Sequence, residues 1–325
     1  MNNKSQLPLI TPNYHCYPHV TFNSYIMATK SEDEYLHWIM DKYINCVLFS
    51  NFHPDTHADL FYIDVSKDNY INEQELCCKP MFMRVEPSTL EELSSTLIDM
   101  VKKCVETDTY LFCRSCFKSD PSKIYECIVV GYDDTNSTFL LKAFNQEESI
   151  HDKEVECKEF VVSFVPNLQN QITLQFWYYS NDSACDIDLT KFKLELTDYL
   201  CSTNSKGIAT KDLVFGTDAE YALISYLSKI TEIGDKIEIR YIAEFAEHKD
   251  LMLNRIEFLY RKGIVPEAIS TQFKAIAQEA IACINLAKEY NYQCKGEIGK
   301  RLIGLMKKVL SNGFPCLKKI LAILE

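Results

Sequence analysis

The sequence predicts an α+β protein with an antiparallel sheet in its N-terminal half and an all-helical C-terminal half. Two observations carry this prediction. Short apolar runs bounded by turn residues continue as far as residue 179, as expected for strands joined by turns. From residue 188 onward, apolar residues recur instead at the helical period of 3.6. The change of pattern predicts two domains, 1–184 and 185–325.

The N-terminal half is predicted to combine helices with a hairpin-rich sheet. A helix begins near Cys16, and Ser88 followed by Glu91 has the capping-box spacing that starts another. The turn-rich run Gly-Tyr-Asp-Asp-Thr-Asn-Ser at 131–137 predicts a β-hairpin. The predicted strands are 60–65, 81–85, 110–113, 125–130, 138–141 and 172–179, and further helices are predicted at 32–44 and 158–164.

The C-terminal half is predicted to be a bundle or cap of six helices. Pro315 is placed at the start of the last of them, because proline is tolerated in a first turn. The predicted ranges are 189–200, 218–230, 239–260, 266–290, 297–310 and 315–324.

Composition narrows the class of protein. A net charge of −12 argues against a nucleic-acid partner, because phosphate binding needs clustered basic residues, and it suits an amine-bearing substrate. The sequence contains no run of eighteen apolar residues, so we expect no membrane partner. The fourteen cysteines are scattered along the chain without a disulfide framework, which predicts a reducing, cytoplasmic compartment.

Cys16 is the first candidate for chemistry. A helix start lowers the pKa of a thiol, and the free N–H groups of the first turn can stabilise an oxyanion. Cys16 is therefore a candidate nucleophile, although a small buried residue is the ordinary role of a cysteine. Cys113 and Cys116 have the spacing of half a zinc site, but a second pair is missing, so we expect no metal.

Four segments in a fixed order resemble one known family. The segments are Leu7-Pro8 through Cys16; Ile-Val-Val-Gly-Tyr-Asp-Asp at 128–134; Phe215-Gly216 followed by Tyr221 and Tyr226-Leu227; and Glu247-His248-Lys249 followed by Met252, Arg255-Ile256 and Leu259. The family that they resemble is the one containing butirosin biosynthesis protein H, which is related to papain-like cysteine peptidases.

The resemblance implies a papain-like fold and an acyltransferase, or amide synthetase, of antibiotic and other natural-product biosynthesis. The acyl donor would be a phosphopantetheine thioester on an acyl or peptidyl carrier protein, and the acceptor would be a small amine. Cys16 would carry the acyl group, no cofactor would be bound, and the helical half would act as a lid or dock the carrier protein.

The resemblance also implies a base. In relatives a histidine opens the strand that leads into the Gly-Tyr-Asp turn, and that slot falls on Tyr125, or on Glu126 if the register slips by one. The acidic slot falls near Ala143. Glu126 serves as a base if burial raises its pKa, and Tyr125 can hydrogen-bond the substrate. His19, three residues after Cys16, would share its helical face.

Two alternatives remain open. The chain is either such an enzyme or a catalytically degenerate relative that binds a peptide-like metabolite or a carrier protein; a cysteine peptidase is the least favoured. Trp177 and Tyr179 are candidate pocket-lining rings on one strand. His151 is predicted to lie in a solvated loop, and His248 to hold two domains together.

Overall fold

A computed structural model describes most of the chain in two compact units. The described residues are 4–7, 22, 26, 29–30, 40, 44–49, 61–63, 78–145, 148–166, 171–179, 188–205 and 213–325. The first unit comprises Met1–Glu34 and Asn72–Ala184, and the second comprises Tyr35–Ile71 and Cys185–Glu325. The units change over at residue 184, as in the predicted division into 1–184 and 185–325, but 35–71 belongs with the C-terminal half.

Ten strands and seven α-helices lie in the described residues. The strands are β1 Lys4–Gln6, β2 Cys46–Phe49, β3 Phe61–Ile63, β4 Cys78–Val85, β5 Thr109–Ser115, β6 Tyr125–Asp133, β7 Thr138–Asn145, β8 Glu148–Glu156, β9 Ile172–Tyr179 and β10 Leu213–Phe215. The helices are α1 Leu90–Glu106, α2 Cys157–Val162, α3 Leu189–Cys201, α4 Gly216–Ile233, α5 Ile239–Arg261, α6 Glu267–Gln293 and α7 Gly296–Leu324.

The first unit is built on an antiparallel sheet, as predicted. The strand order is β4-β9-β5-β6-β7-β8, with β1 also paired to β6. Gly131 permits the β1 pairing, because a Cβ at this position would lie 2.5 Å from the carbonyl oxygen of Ser5. The predicted hairpin of β6 and β7 is confirmed.

Two local predictions in this unit are wrong. Residues 148–156 form strand β8 rather than a solvated loop; only alternate residues of this edge strand face inward, so its composition is polar. The helix predicted to start at Ser88 begins instead at Leu90, after a short 3-10 turn. Its N-cap is Thr89, whose hydroxyl donates to the carbonyl of Glu86 at 2.9 Å, so the capping box does not form.

The register of the strands assigns side chains to the two faces of this sheet. Directly opposed residues share a face, and neighbours along a strand point to opposite faces. One face, which we call the Trp177 face, carries Phe112, Arg114, Glu126 and Trp177. The other, which we call the Tyr125 face, carries Tyr125, Cys127, Ala143 and His151.

Different elements cover the two faces. Helices α1 and α2 cover the Tyr125 face, where the ring of Phe160 meets Phe139 at 5.2 Å between centroids. On the Trp177 face the ring of Phe22, a helical residue of the N-terminal segment, lies 6.1 Å from Phe112. The N-terminal segment therefore packs on the Trp177 face at this point.

The second unit is mostly helical, but the predicted all-helical composition is wrong. Strand β10 pairs with β2, and β2 pairs with β3, in a small antiparallel sheet. Strands β2 and β10 are more than 160 residues apart in sequence, and each has only three or four residues. Strand β3 lies within the predicted strand 60–65, whereas β2 and β10 are too short to show a recognisable alternation and were not predicted.

Helix α5 lies at the centre of this unit. Its buried residues occur on all sides of the helix and include Glu244, Glu247, His248 and Lys249. A helix that is buried all round is normally apolar, so these four polar residues need partners in the interior.

Helix α7 runs from Gly296 to Leu324 without interruption, although a new helix was predicted to start at Pro315. The proline costs one backbone hydrogen bond. Leu310, Cys316, Leu317 and Ile320 are buried on both sides of it, so one continuous apolar face holds the helix together. Within the described part of the chain, no helix combines the length and apolarity needed to cross a bilayer.

Candidate functional site

Cys16 and His19, the predicted nucleophile and its neighbour, lie outside the described residues. The nearest described residues after them are Phe22 and Ile26, both helical and fully buried. The ring of Phe22 lies against Phe112 on the Trp177 face.

The two predicted base slots lie on opposite faces of the sheet. Glu126 shares the Trp177 face with Phe112 and Ile128, and is therefore on the same side as Phe22. Tyr125 points to the opposite face of the sheet, the face that α1 and α2 cover. The register therefore distinguishes between two slots that were equivalent in the sequence.

Glu126 is a desolvated but reachable carboxyl group. Its side chain is 22% exposed, and its Oε1 lies 3.6 Å from Nε of Arg114, the residue directly opposite it on β5. Burial raises the pKa of Glu126, and the charge of Arg114 opposes that shift. A carboxyl group with a raised pKa is a better proton acceptor than an ordinary surface glutamate.

Tyr125 is held in a packed aromatic cluster. Its ring meets His151 edge-on at 6.1 Å, and the ammonium of Lys153 lies 4.8 Å above it. Its hydroxyl donates to a carboxylate oxygen of Asp120 at 3.4 Å. Tyr125 therefore has structural partners already, and His151 lies on β8, on the far side of β7, rather than in a loop.

The residue at the predicted acidic slot, Ala143, and the predicted pocket-lining rings, Trp177 and Tyr179, all lie on strands of the same sheet. Ala143 lies between Cys127 and His151 in one cross-strand row of the Tyr125 face. Trp177 is fully buried and stacks on Phe112 with centroids 4.9 Å apart and planes 12° apart. It shares a face with Glu126 from two strands away, whereas Tyr179 is half-buried at the end of β9.

A second polar group lies in the interior of the second unit. We call it the buried centre; it consists of Cys46 on β2, Tyr199 on α3, Glu220 on α4, and His248 and Lys249 on α5. The ammonium of Lys249 donates to Oε1 of Glu220 at 2.5 Å, to the hydroxyl of Tyr199 at 2.9 Å and to Nδ1 of His248 at 3.0 Å. Its three protons therefore have three acceptors.

The remaining hydrogen bonds fix the protonation of the buried centre. The hydroxyl of Tyr199 donates to Oε2 of Glu220 at 2.6 Å. Nε2 of His248 lies 2.7 Å from the carbonyl oxygen of Ile44, which can only accept, so Nε2 carries the proton and Nδ1 accepts from Lys249. His248 is thus a neutral imidazole that links the Ile44 backbone to α5.

Electrostatics agree with this assignment. Burial would raise the pKa of Glu220, but the adjacent ammonium of Lys249 outweighs it, and the pKa is about 2. Burial, reinforced by the charge of Lys249, lowers the pKa of His248. Burial and the nearby Glu220 carboxylate raise the pKa of Cys46 well above its ordinary range, so the thiol stays protonated.

The buried centre contains ligand atoms for a metal but already holds a cation. Atoms of Cys46, Glu220 and His248 lie within 4.8 Å of one another. Two of these three residues hydrogen-bond the ammonium of Lys249, and the Cys46 thiol donates to Glu220 at 3.8 Å. Lys249 therefore supplies the positive charge, and the arrangement joins β2 to three helices.

Sequence reasoning found only part of the buried centre. His248 was predicted to hold two domains together; it bonds Ile44, which belongs to the same compact unit. The sequence offered one signal, the polar run Glu247-His248-Lys249 in the middle of a predicted helix. It offered none for Glu220 or Tyr199, which come from other helices.

Neither a scan against protein-family models nor a search of curated protein sequences returned a match to this chain. What the fold defines is a mixed protein with an antiparallel sheet in one unit and a helical second unit.

Proposed function

We propose that this chain is a thiol-dependent acyltransferase that forms an amide, with a cysteine-peptidase-like first unit. In the first step the Cys16 thiolate attacks the carbonyl carbon of a carrier-bound thioester. The phosphopantetheine thiolate leaves, and the acyl group stays on Cys16 as a new thioester. In the second step a small amine attacks that thioester, the amide leaves, and the cysteine is regenerated.

One observation carries this proposal. Of the two predicted base slots, Glu126 is the one that shares a sheet face with Phe112, the ring that Phe22 contacts. Phe22, six residues after Cys16, and a carboxyl group with a raised pKa therefore belong to the same side of the sheet. A base must reach its nucleophile directly or through one water molecule. Glu126, unlike Tyr125, lies on the sheet face that Phe22 contacts.

Glu126 has a defined task in this mechanism. Its carboxylate accepts the proton that the attacking amine must lose as the amide bond forms. Burial raises the pKa of Glu126, and the charge of Arg114 limits that rise. Residues near a reacting group commonly balance desolvation against one opposite charge in this way.

The absence of a histidine from the base slots favours an amine acceptor over water. A deprotonated amine is already a strong nucleophile and needs less help from a base than water does. A carboxylate is a weaker base than an imidazole. Replacing the histidine by a carboxylate therefore slows attack by an amine less than it slows attack by water. Amide formation therefore fits Glu126 better than peptide hydrolysis does.

The test uses the full chain with an acyl-pantetheine thioester and a mixture of small amines. We expect the wild-type protein to form an amide and to carry an acyl adduct on Cys16 when the amine is omitted, and Cys16→Ala to do neither. Cys201→Ala is the matched control, because Cys201 is an exposed thiol in the second unit and should be dispensable. Wild-type levels of amide from Cys16→Ala would refute the proposal.

A second candidate is a non-catalytic protein that binds a peptide-like metabolite or a carrier protein. The observation that favours it concerns His151, the one described histidine of the first unit. His151 lies on the Tyr125 face, away from Glu126, in contact with Tyr125. If the chain only binds, Cys16→Ala will leave the affinity for a carrier protein unchanged and no acyl adduct will form.

A further inference from the structure

Three pairs of basic residues recur along α7. Successive pairs are seven and eleven residues apart, close to two and three full turns at 3.6 residues per turn, so the six side chains lie on one side of the helix. All six residues are exposed, and the row is about 28 Å long at 1.5 Å per residue. We call this row the basic stripe; it consists of Lys300, Arg301, Lys307, Lys308, Lys318 and Lys319.

Small residues lie between the pairs. Gly304, Ser311 and Pro315 lie on the same side of the helix as the pairs and are also exposed. Small side chains at these positions leave room for another backbone to approach closely. The opposite side of α7 is already used, because Leu302, Met306 and other apolar residues there are buried in the second unit.

The basic stripe contrasts with the rest of the protein. Glu297 is the only acidic residue of α7, against six basic ones, whereas the whole chain has a net charge of −12. A concentrated positive row on an acidic protein attracts and orients an acidic partner. Such complementarity acts mainly on the rate of association and on the choice of partner.

The kind of partner follows from what the rest of the chain allows. An interfacial helix binds a membrane by inserting its apolar face, but here that face is buried inside the unit. A nucleic-acid duplex would bring its phosphates close to a protein with a net charge of −12. The negative charge outside the stripe would repel those phosphates. An acidic protein helix of about 19 residues matches the stripe in length and charge.

We infer that the basic stripe is a docking surface for an acidic helix of a second protein. The identity of this second protein rests on the proposed function: it is the carrier that presents the acyl thioester. The stripe selects the carrier, and the first unit carries out the transfer.

The test compares two charge-reversed forms of the full chain. Lys307→Glu/Lys318→Glu changes two of the three pairs and leaves Lys308, which pairs with Glu279 of α6 at 2.6 Å, in place. Lys118→Glu/Lys158→Glu is the matched control, with the same change in net charge at exposed lysines of the first unit. Both pairs of substitutions are made in wild-type and Cys16→Ala backgrounds.

Binding is measured with three probes: a phosphopantetheinylated acyl carrier protein, vesicles of phosphatidylserine and phosphatidylcholine, and a short DNA duplex. We expect the stripe variant to bind the carrier protein about tenfold more weakly, and the control to bind within about twofold of wild type. Carrier binding should weaken further with added salt, because the charges are exposed. Circular dichroism confirms that both variants are folded.

The outcomes separate this inference from the proposed function. Stripe-dependent carrier binding without any acyl transfer supports the docking surface and contradicts the enzyme. Acyl transfer and carrier binding that are equal in the stripe variant and wild type contradict the docking surface and leave the enzyme intact. Tighter binding of the vesicles or the duplex than of the carrier protein also overturns the inference, because the stripe would then serve a different partner.

Discussion

Glu220 and Lys249 form an ion pair in the interior of the second unit, with Oε1 and Nζ 2.5 Å apart and at most 3% of either side chain exposed. Removing one partner leaves the other charge buried and uncompensated. We expect Lys249→Met to lower the free energy of unfolding by about 3–5 kcal/mol. The double variant Glu220→Gln/Lys249→Met should recover part of that loss, as urea denaturation will show.

The matched control for this prediction is a surface ion pair. Lys103 and Glu106 lie 3.0 Å apart on α1, with 71% and 45% of their side chains exposed. Lys103→Met should change the free energy of unfolding by less than about 1 kcal/mol. Equal losses from Lys103→Met and Lys249→Met would contradict the central role of the buried centre.

The acid stability of the protein should depend on Glu220. The folded-state pKa of this carboxyl, about 2, is below the ordinary value of 4.5, so its contribution to stability is complete above pH 4.5 and is lost as the pH falls through about 2. Urea midpoints measured across this range should therefore fall with pH in the wild type. Glu220→Gln/Lys249→Met should show a shallower fall; an unchanged slope would assign the acid sensitivity to other groups.

His248 should add a pH dependence nearer neutrality. Burial lowers the pKa of its imidazole from the ordinary 6.5. Between the two pKa values the imidazole is protonated in the unfolded chain and neutral in the folded chain. Stability is therefore complete above pH 6.5 and declines as the pH falls toward the lower folded-state pKa. His248→Gln, which keeps an N–H for the Ile44 carbonyl, should remove this decline and destabilise less than His248→Leu in urea titrations at pH 7.5 and below.

Gly216 should tolerate no side chain. It has a φ of +58°, and a Cβ there would lie 2.2 Å from the carbonyl oxygen of Tyr199. We expect Gly216→Ala to lower the free energy of unfolding by more than about 3 kcal/mol, because backbone strain adds to a collision with main-chain atoms. Gly234→Ala is the control, since Gly234 also has a positive φ, +81°, but a Cβ there has no neighbour within 4 Å. A cost of about 1 kcal/mol is expected for it.

The proposed base should give a pH signature in the rate of amide formation. Because burial raises the pKa of Glu126, the rate should fall as the pH drops through that raised pKa and the carboxylate is protonated. Glu126→Gln should lower the rate about 100-fold and remove this limb of the profile. Glu154→Gln, at an exposed position on edge strand β8 of the same sheet, should leave the rate and its pH profile unchanged.

Patterns confined to one element were readable from the sequence. Both ends of β9 were predicted, because alternating apolar residues fill it from Ile172 to Tyr179. The starts of α3 and α5 were predicted for the same kind of reason, namely a helical period that begins abruptly. Elements without an internal pattern, such as the polar edge strand β8 and the short strand β10, were missed.

Relations between elements were beyond the sequence. Tyr125 and Glu126 are neighbours on one strand and therefore point to opposite faces, but only the register against β5 and β7 shows which other residues share each face. The buried centre likewise brings together residues from a strand and three helices, up to about 200 positions apart. Their mutual distances are set by tertiary packing, which no local periodicity encodes.

The proposed function depends on a reactive thiol at position 16. Alkylation followed by mass spectrometry tests the reactivity of that thiol directly. Folded protein is treated briefly with iodoacetamide at neutral pH, with and without prior incubation with an acyl-pantetheine thioester. Exposed Cys201 and Cys294 serve as internal references for ordinary reactivity, and buried Cys113, whose pKa burial raises to about 12, serves as the unreactive one. We predict that Cys16 is alkylated faster than the exposed references and is protected by an acyl adduct after incubation; a Cys16 as unreactive as Cys113, with no adduct, would contradict the proposed function.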